Sequence, residues 1–126
     1  MSQAASAAAL TGDQTFVRES VEVYRSRRDA AVAALNAVDC LSCATPEGAF
    51  NAYVNSGGAI GKTTPEGKAI ANDEDFTLYL LEAASVAVIQ GSAYGLGPYF
   101  RISYATSLDV IEESIAAIDK AVRALS

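Results

Sequence analysis

The sequence predicts an α+β domain, a small sheet covered on one side by helices and led by a long N-terminal helix. Three observations predict it. Phe16, Val17, Val21, Tyr24, Val32 and Leu35 recur at helical spacing over one long stretch. Between residues 39 and 104 the period shortens, and apolar runs alternate with turns rich in Pro and Gly. Leu108, Ile111, Ile115, Ile118, Val122 and Leu125 then return to i, i+3, i+4 spacing.

The elements follow in order. An Ala-rich helix from Gln3 to Leu10 stops at Thr11-Gly12, glycine being a common residue just past a helix end. The start, Met1-Ser2-Gln3-Ala4-Ala5, reads as though the chain opens inside a helix. Asp13 is placed to cap the second helix, which runs to Ala37. At about 25 residues it would span about 35 Å, a length suited to bridging two domains. Leu41–Ala44 and Ala49–Val54 read as strands around the turn Thr45-Pro46-Glu47-Gly48, and residues 55–72 as a long polar loop. Asp73 is expected to cap a helix to Ala84, with Glu74 and Asp75 in its first turn. Val86–Ile89 is a third strand candidate, the glycine-studded stretch 91–98 a loop, and Tyr99–Tyr104 the last strand. That strand alternates, Phe100, Ile102 and Tyr104 against Arg101 and Ser103. Thr106 or Ser107 caps the final helix. The expected division is a helical segment at 1–38 and a small domain at 39–126.

Composition narrows the function. Apolar residues at 51% and charged residues at 19% are a globular balance. Nine basic against fifteen acidic residues give a net charge of −6, which repels phosphate backbones and disfavours a nucleic-acid partner. Arg18, Arg25, Arg27 and Arg28 share one helix and read as a solvated face. No apolar run has membrane-spanning length, so no membrane partner is expected and the cytoplasm is the default location. The chain has no histidine, which removes Ser-His-Asp and Cys-His catalysis and most zinc sites, so no metal is expected.

Four features carry possible chemistry. Gly57-Gly58-Ala59-Ile60-Gly61-Lys62-Thr63 resembles the end of a P-loop, but Ser56 stands where the first glycine is required and Thr64-Pro65 opposes the helix that must follow. Cys40-Leu41-Ser42-Cys43 has redox spacing, yet it enters a strand instead of the helix N-terminus that would stabilise a thiolate. Lys62, Lys68 and Lys120 lack the apolar surroundings that would make a Schiff-base nucleophile. Arg101 interrupts a strand of aromatics and Ile, and its planar fork suits a carboxylate. An internal salt bridge or an edge-strand arginine would also account for it.

Three segments together resemble the fold-type-I aminotransferases of the bacterial aspartate aminotransferase group. Pro46-Glu47-Gly48-Ala49-Phe50 is similar to the family's P-x-G-A-F, Val86–Gly95 to its "VAVVPGSAFG", and Phe100–Ser107 to its "FRISYATS" strand. The similarity extends over essentially the whole chain, in order and spacing. It implies the small C-terminal domain of such an enzyme, with the long helix joining large and small domains. It implies that Arg101 binds the substrate α-carboxylate as a bidentate pair and that Phe50 lies at the active-site mouth. The parent would use pyridoxal phosphate to move an amino group between an amino acid, aspartate or glutamate, and a 2-oxo acid, acting as a homodimer. The family's Schiff-base lysine, the aspartate under the pyridinium nitrogen and most phosphate ligands have no counterpart here. No cofactor is therefore expected on this chain, no catalytic residue is assigned, and the chain is expected to be inactive alone. Asn51, Ser85 and Gln90 depart from the family pattern, which bears on substrate preference. The alternative is a stand-alone module that holds a small carboxylate. Without a large domain, the apolar surface of the first two helices is expected to drive self-association.

Overall fold

The computed structural model describes residues 2–126. Helix α1 (Ser2–Thr11) ends where the Gly12 amide donates to the Ala8 carbonyl at 2.9 Å. Helix α2 (Thr15–Asn36) has 22 residues, about 33 Å at the usual rise. Gln14, not Asp13, occupies the cap position of α2 and makes no side-chain cap bond; Asp13, one residue further out, accepts from the Thr15 amide at 3.0 Å and the Thr15 hydroxyl at 2.7 Å. Helix α1 buries nothing, and α2 buries only Ala31, Val32 and Leu35 near its C-terminal end. Leu10 and Phe16 stand 80% and 77% exposed, so the apolar spacing at this end of the helices is real but leaves its largest side chains uncovered.

The strands β1 (Ser42–Cys43), β2 (Asn51–Asn55), β3 (Ile89–Gln90) and β4 (Tyr99–Ser103) form an antiparallel sheet in the order β1-β2-β4-β3. Helix α2, with α3 (Asp73–Ala84) and α4 (Leu108–Arg123), covers one face, as the α+β reading expects. Ala52, Val54 and Phe100 point into that layer and are fully buried with Leu35, Phe76, Leu80 and Ile118. The Phe76 and Phe100 rings meet at 5.8 Å between centroids. Full burial of a side chain of this size contributes about 1.5–3 kcal/mol, so this pair anchors α3 to the sheet. Asn36 at the end of α2 ties the helix to β1, donating to the Cys43 carbonyl at 2.9 Å and accepting from its amide at 2.8 Å.

The structure departs from the sequence reading at several places. Asn72, not Asp73, caps α3: its side chain accepts from the Asp75 amide at 2.9 Å. Asp73 is buried and its carboxylate turns instead to the Ser92 amide, 2.7 Å away. The third strand lies at Ile89–Gln90, not Val86–Ile89, because Ser85 turns the chain at φ 56 and the following residues pack irregularly before pairing begins. Ala49 at φ 60 delays β2 to Asn51, and β1 shrinks to Ser42 and Cys43, which pair with Asn55 and Val54. The stretch 55–72 is anchored: a 3-10 turn at Gly57–Ala59, a bridge between Thr63 and Ala69, and backbone bonds joining Thr63 to Ser126 at 3.0 and 3.1 Å. Ile70, 1% exposed, pins it to the core. Ser107 is the cap of α4, accepting from the Val110 amide at 3.4 Å.

Candidate functional site

Arg101 sits at the centre of β4, which is flanked by β2 and β3. The edge-strand explanation of this arginine therefore fails. The salt-bridge explanation fails as well: among the described residues, no ion pair within 4.0 Å involves Arg101. Alternation turns its side chain away from the helical layer, opposite to Phe100, and it is half-buried there. Tyr53 stands across from it on β2, and Ile89 across from it on β3. The guanidinium carbon lies 4.8 Å from the centroid of the Tyr94 ring, a cation–π contact. Tyr94 meets Tyr53 edge to face, with centroids 6.5 Å apart and planes at 87°. Tyr94, braced by Tyr53, thus holds the fork from one side, while its charge has no counter-anion within 4.0 Å among the described residues. A half-buried cation in that state favours an acidic ligand, and a guanidinium presents parallel N–H donors that match a carboxylate.

Phe50 is 51% exposed and precedes β2. Its carbonyl accepts from the Tyr104 amide at 2.9 Å, three ladder positions from the Tyr53–Arg101 pair. That is about 10 Å along the strand, so the two predicted site residues do not meet. Phe50 instead lines an open cavity of about 360 Å³ with Tyr24, Arg28, Pro46 and Tyr104. Sequence reasoning missed Tyr53 and Tyr94. An exposed tyrosine in a glycine-rich loop was the one available signal, since nothing local shows which strand lies beside β4.

The other sequence features carry little chemistry. Gly57–Ala59 is followed by a turn with Gly61 at φ 89, and no helix opens at Lys62 to receive a phosphate. Cys43 is buried in β1, and burial pushes its thiol up, away from the reactive thiolate. Cys40, half-buried, lies in a left-handed turn at φ 67 before the strand. Of the helix α2 arginines, Arg18 and Arg25 are solvated, Arg25 pairing with Glu22 at 2.8 Å; Arg28 departs from the solvated-face reading, being partly buried, paired with Asp29 at 2.7 Å and donating to the Pro46 carbonyl at 3.3 Å.

Residues 1–118 match the sequence model of the family Aminotransferase class I and II. The chain belongs to that family. It is 52% identical to an aspartate aminotransferase of Rhizobium meliloti (strain 1021) over 126 residues, 100% of this chain and 31% of the relative. A probable aspartate/prephenate aminotransferase of Rhizobium leguminosarum bv. phaseoli is 48% identical over 120 residues, 95% of this chain and 30% of that protein. The crystal structure of the Rhizobium meliloti aspartate aminotransferase superposes with a TM-score of 0.96, covering 99% of this chain and 31% of that one. Alanine aminotransferase from Pyrococcus furiosus, 26% identical, superposes at 0.80 over 92% of this chain and 28% of its own. The chain thus spans 31% of the length of the Rhizobium meliloti relative.

Aminotransferases of this family imply pyridoxal phosphate, and the donors here can be tested against it. Such a site needs a lysine amine in a cradle and an acidic partner for the pyridine nitrogen. Lys68 is exposed and lies 3.8 Å from Asp75, and the cavity beside it is about 80 Å³. Cofactor pockets are usually about 300 Å³ or more. Lys120 is exposed on α4, and Lys62 sits in the anchored loop. As placed, the three lysines do not fit the role of a cofactor-bearing lysine.

Proposed function

We propose that Arg101 is the substrate α-carboxylate clamp of an aminotransferase, and that these residues contribute substrate binding while the cofactor lysine is supplied from outside them. The observation that carries the reading is a half-buried guanidinium on an interior strand, steadied by Tyr94 at 4.8 Å and without an acidic partner among the described residues. On this reading Arg101 offers two parallel N–H bonds to the carboxylate, and the pair fixes the substrate's orientation. Tyr94 limits the guanidinium's rotation, so less ordering entropy is lost on binding. Phe50, with its ring exposed, forms a wall of the approach rather than a direct contact.

The reaction proposed is transfer of an amino group between an amino acid and a 2-oxo acid, with pyridoxal phosphate as the family's cofactor. Aspartate is the proposed amino donor, since the relatives are named aspartate and aspartate/prephenate aminotransferases. Residues 1–38 are proposed as a helical connection to further enzyme structure, and homodimer assembly as the active state. The sparse burial of α1 and of the first half of α2 supports both.

Titration of the chain with succinate, a dicarboxylate without an amine, tests the clamp. Saturable binding lost in Arg101→Met is expected, and no binding by the wild-type chain would overturn it. Pyridoxal phosphate followed by visible absorbance, with aspartate and 2-oxoglutarate then added, tests the division of labour. No aldimine band is expected. A saturable band that bleaches with aspartate would mean that Lys62, Lys68 or Lys120 had been recruited.

A further inference from the structure

We propose that Asp73 is a positioning residue for Arg101, acting through the 91–98 loop; the proposal rests on the reading of Arg101 as the carboxylate clamp. Asp73 opens α3 and is only 4% exposed, yet it is not the helix cap. Burying a carboxylate is costly unless its oxygens are engaged. Here Oδ2 accepts from the Ser92 amide at 2.7 Å, the short range of charge-assisted bonds. Ser92 lies in the 3-10 turn Gly91–Tyr94, two residues before the tyrosine that covers Arg101. Gly97, near the other end of the loop, comes so close that a Cβ there would sit 3.7 Å from the same oxygen.

The loop's exit is held independently. Ser56, fully buried, donates to the Pro98 carbonyl from its amide at 3.0 Å and its hydroxyl at 3.2 Å. Between these clamps the loop closes on itself: the Leu96 amide donates to the Gly91 carbonyl at 3.0 Å, and the Gly95 amide to Ser92 at 3.0 Å. Tyr94 itself has no such anchor. It is 55% exposed, and its ring packs on Arg101 and, edge to face, on Tyr53. The backbone that carries it must therefore supply its position, and Asp73 is the one charged group bonded to that backbone among the described residues. A buried acid 28 residues upstream of Arg101 in sequence thus sets the pose of the ring that steadies the guanidinium.

The test uses the side-chain Hε resonance of Arg101 in the full chain. The Tyr94 ring shifts that proton upfield, and Tyr94→Leu measures the size of the displacement. Asp73→Ala is expected to lose most of it while the α4 amides keep their dispersion. Asp73→Asn keeps an oxygen acceptor for the Ser92 amide and is expected to retain it. Ser92→Pro deletes the same donor without touching Asp73, and is expected to lose it even where Asp73→Ala does not fold. Retention of the displacement in Asp73→Ala or in Ser92→Pro overturns the proposal. Succinate titration separates this outcome from the clamp itself. Unchanged binding in Arg101→Met sinks the carboxylate reading, while the ring displacement still decides the role of Asp73.

Discussion

Replacing Arg101 with methionine keeps the apolar stem and removes the charged fork, so it separates a structural role from a binding role. Stability has two opposing terms. The contact with Tyr94 at 4.8 Å is lost, worth about 0.5–1 kcal/mol at a partly exposed site. Against this, a half-buried cation without an acidic partner no longer has to be desolvated. The net change is expected to stay within about 1 kcal/mol. With a urea slope of about 2 kcal/mol per molar, the midpoint then moves by about 0.5 M or less. Binding has no such compensation. Two hydrogen bonds between a guanidinium and a carboxylate contribute about 1.5–3 kcal/mol each. At 1.4 kcal/mol per factor of ten, the succinate dissociation constant should rise by about a hundredfold or more. Urea unfolding followed by circular dichroism and calorimetric titration with succinate read the two quantities on the same samples. A loss of about 3 kcal/mol or more with unaltered succinate affinity would refute the reasoning, because it would make Arg101 a structural residue.

Three further outcomes follow from the packing. Gly91→Ala drives a Cβ into the Leu96 carbonyl oxygen and to 2.9 Å from that of Tyr99. A thermal melt should register a loss of about 2–3 kcal/mol, and a change below about 0.5 kcal/mol would mean the loop yields easily. Asn36→Ala strands the amide and carbonyl of Cys43 that it now bridges, which should cost about 1–2 kcal/mol by urea unfolding, whereas Asn36→Gln should recover little because its longer arm misplaces both bonds. Burial pushes the phenols of Tyr79 and Tyr104 above their ordinary 10.0 and the Cys43 thiol above its ordinary 9.0. The unfolded chain loses those protons first, so between the two pKa values it binds fewer protons than the native state. Stability is then complete below about pH 9 and falls as pH rises. Melting temperatures from pH 8 to 11 should show this decline, and Tyr79→Phe should make it shallower while also losing the bond to the Ala121 carbonyl at 2.8 Å.

Helices α2 and α4 could be read from their apolar period because that signal is local: residues three and four apart share a face whatever the rest of the chain does. The same holds for the alternation in β4, which set Arg101 against Phe100 before any partner strand was known. The sequence also carried the family, through segments whose residues keep their order and spacing. It pointed to Asp73 as the α3 cap, where the structure uses Asn72. Both are good capping residues, and the choice was made by the Ser92 amide, 19 positions away, which takes the aspartate. The sequence could not place β4 between β2 and β3, and that placement removed the edge-strand explanation of Arg101. Tyr94 reaches the guanidinium through a clamped loop, and Tyr53, set beside Arg101 by strand register, braces that ring from another part of the chain. Periodicity says which way a side chain points from its own element. Only long-range pairing and packing decide what it points at.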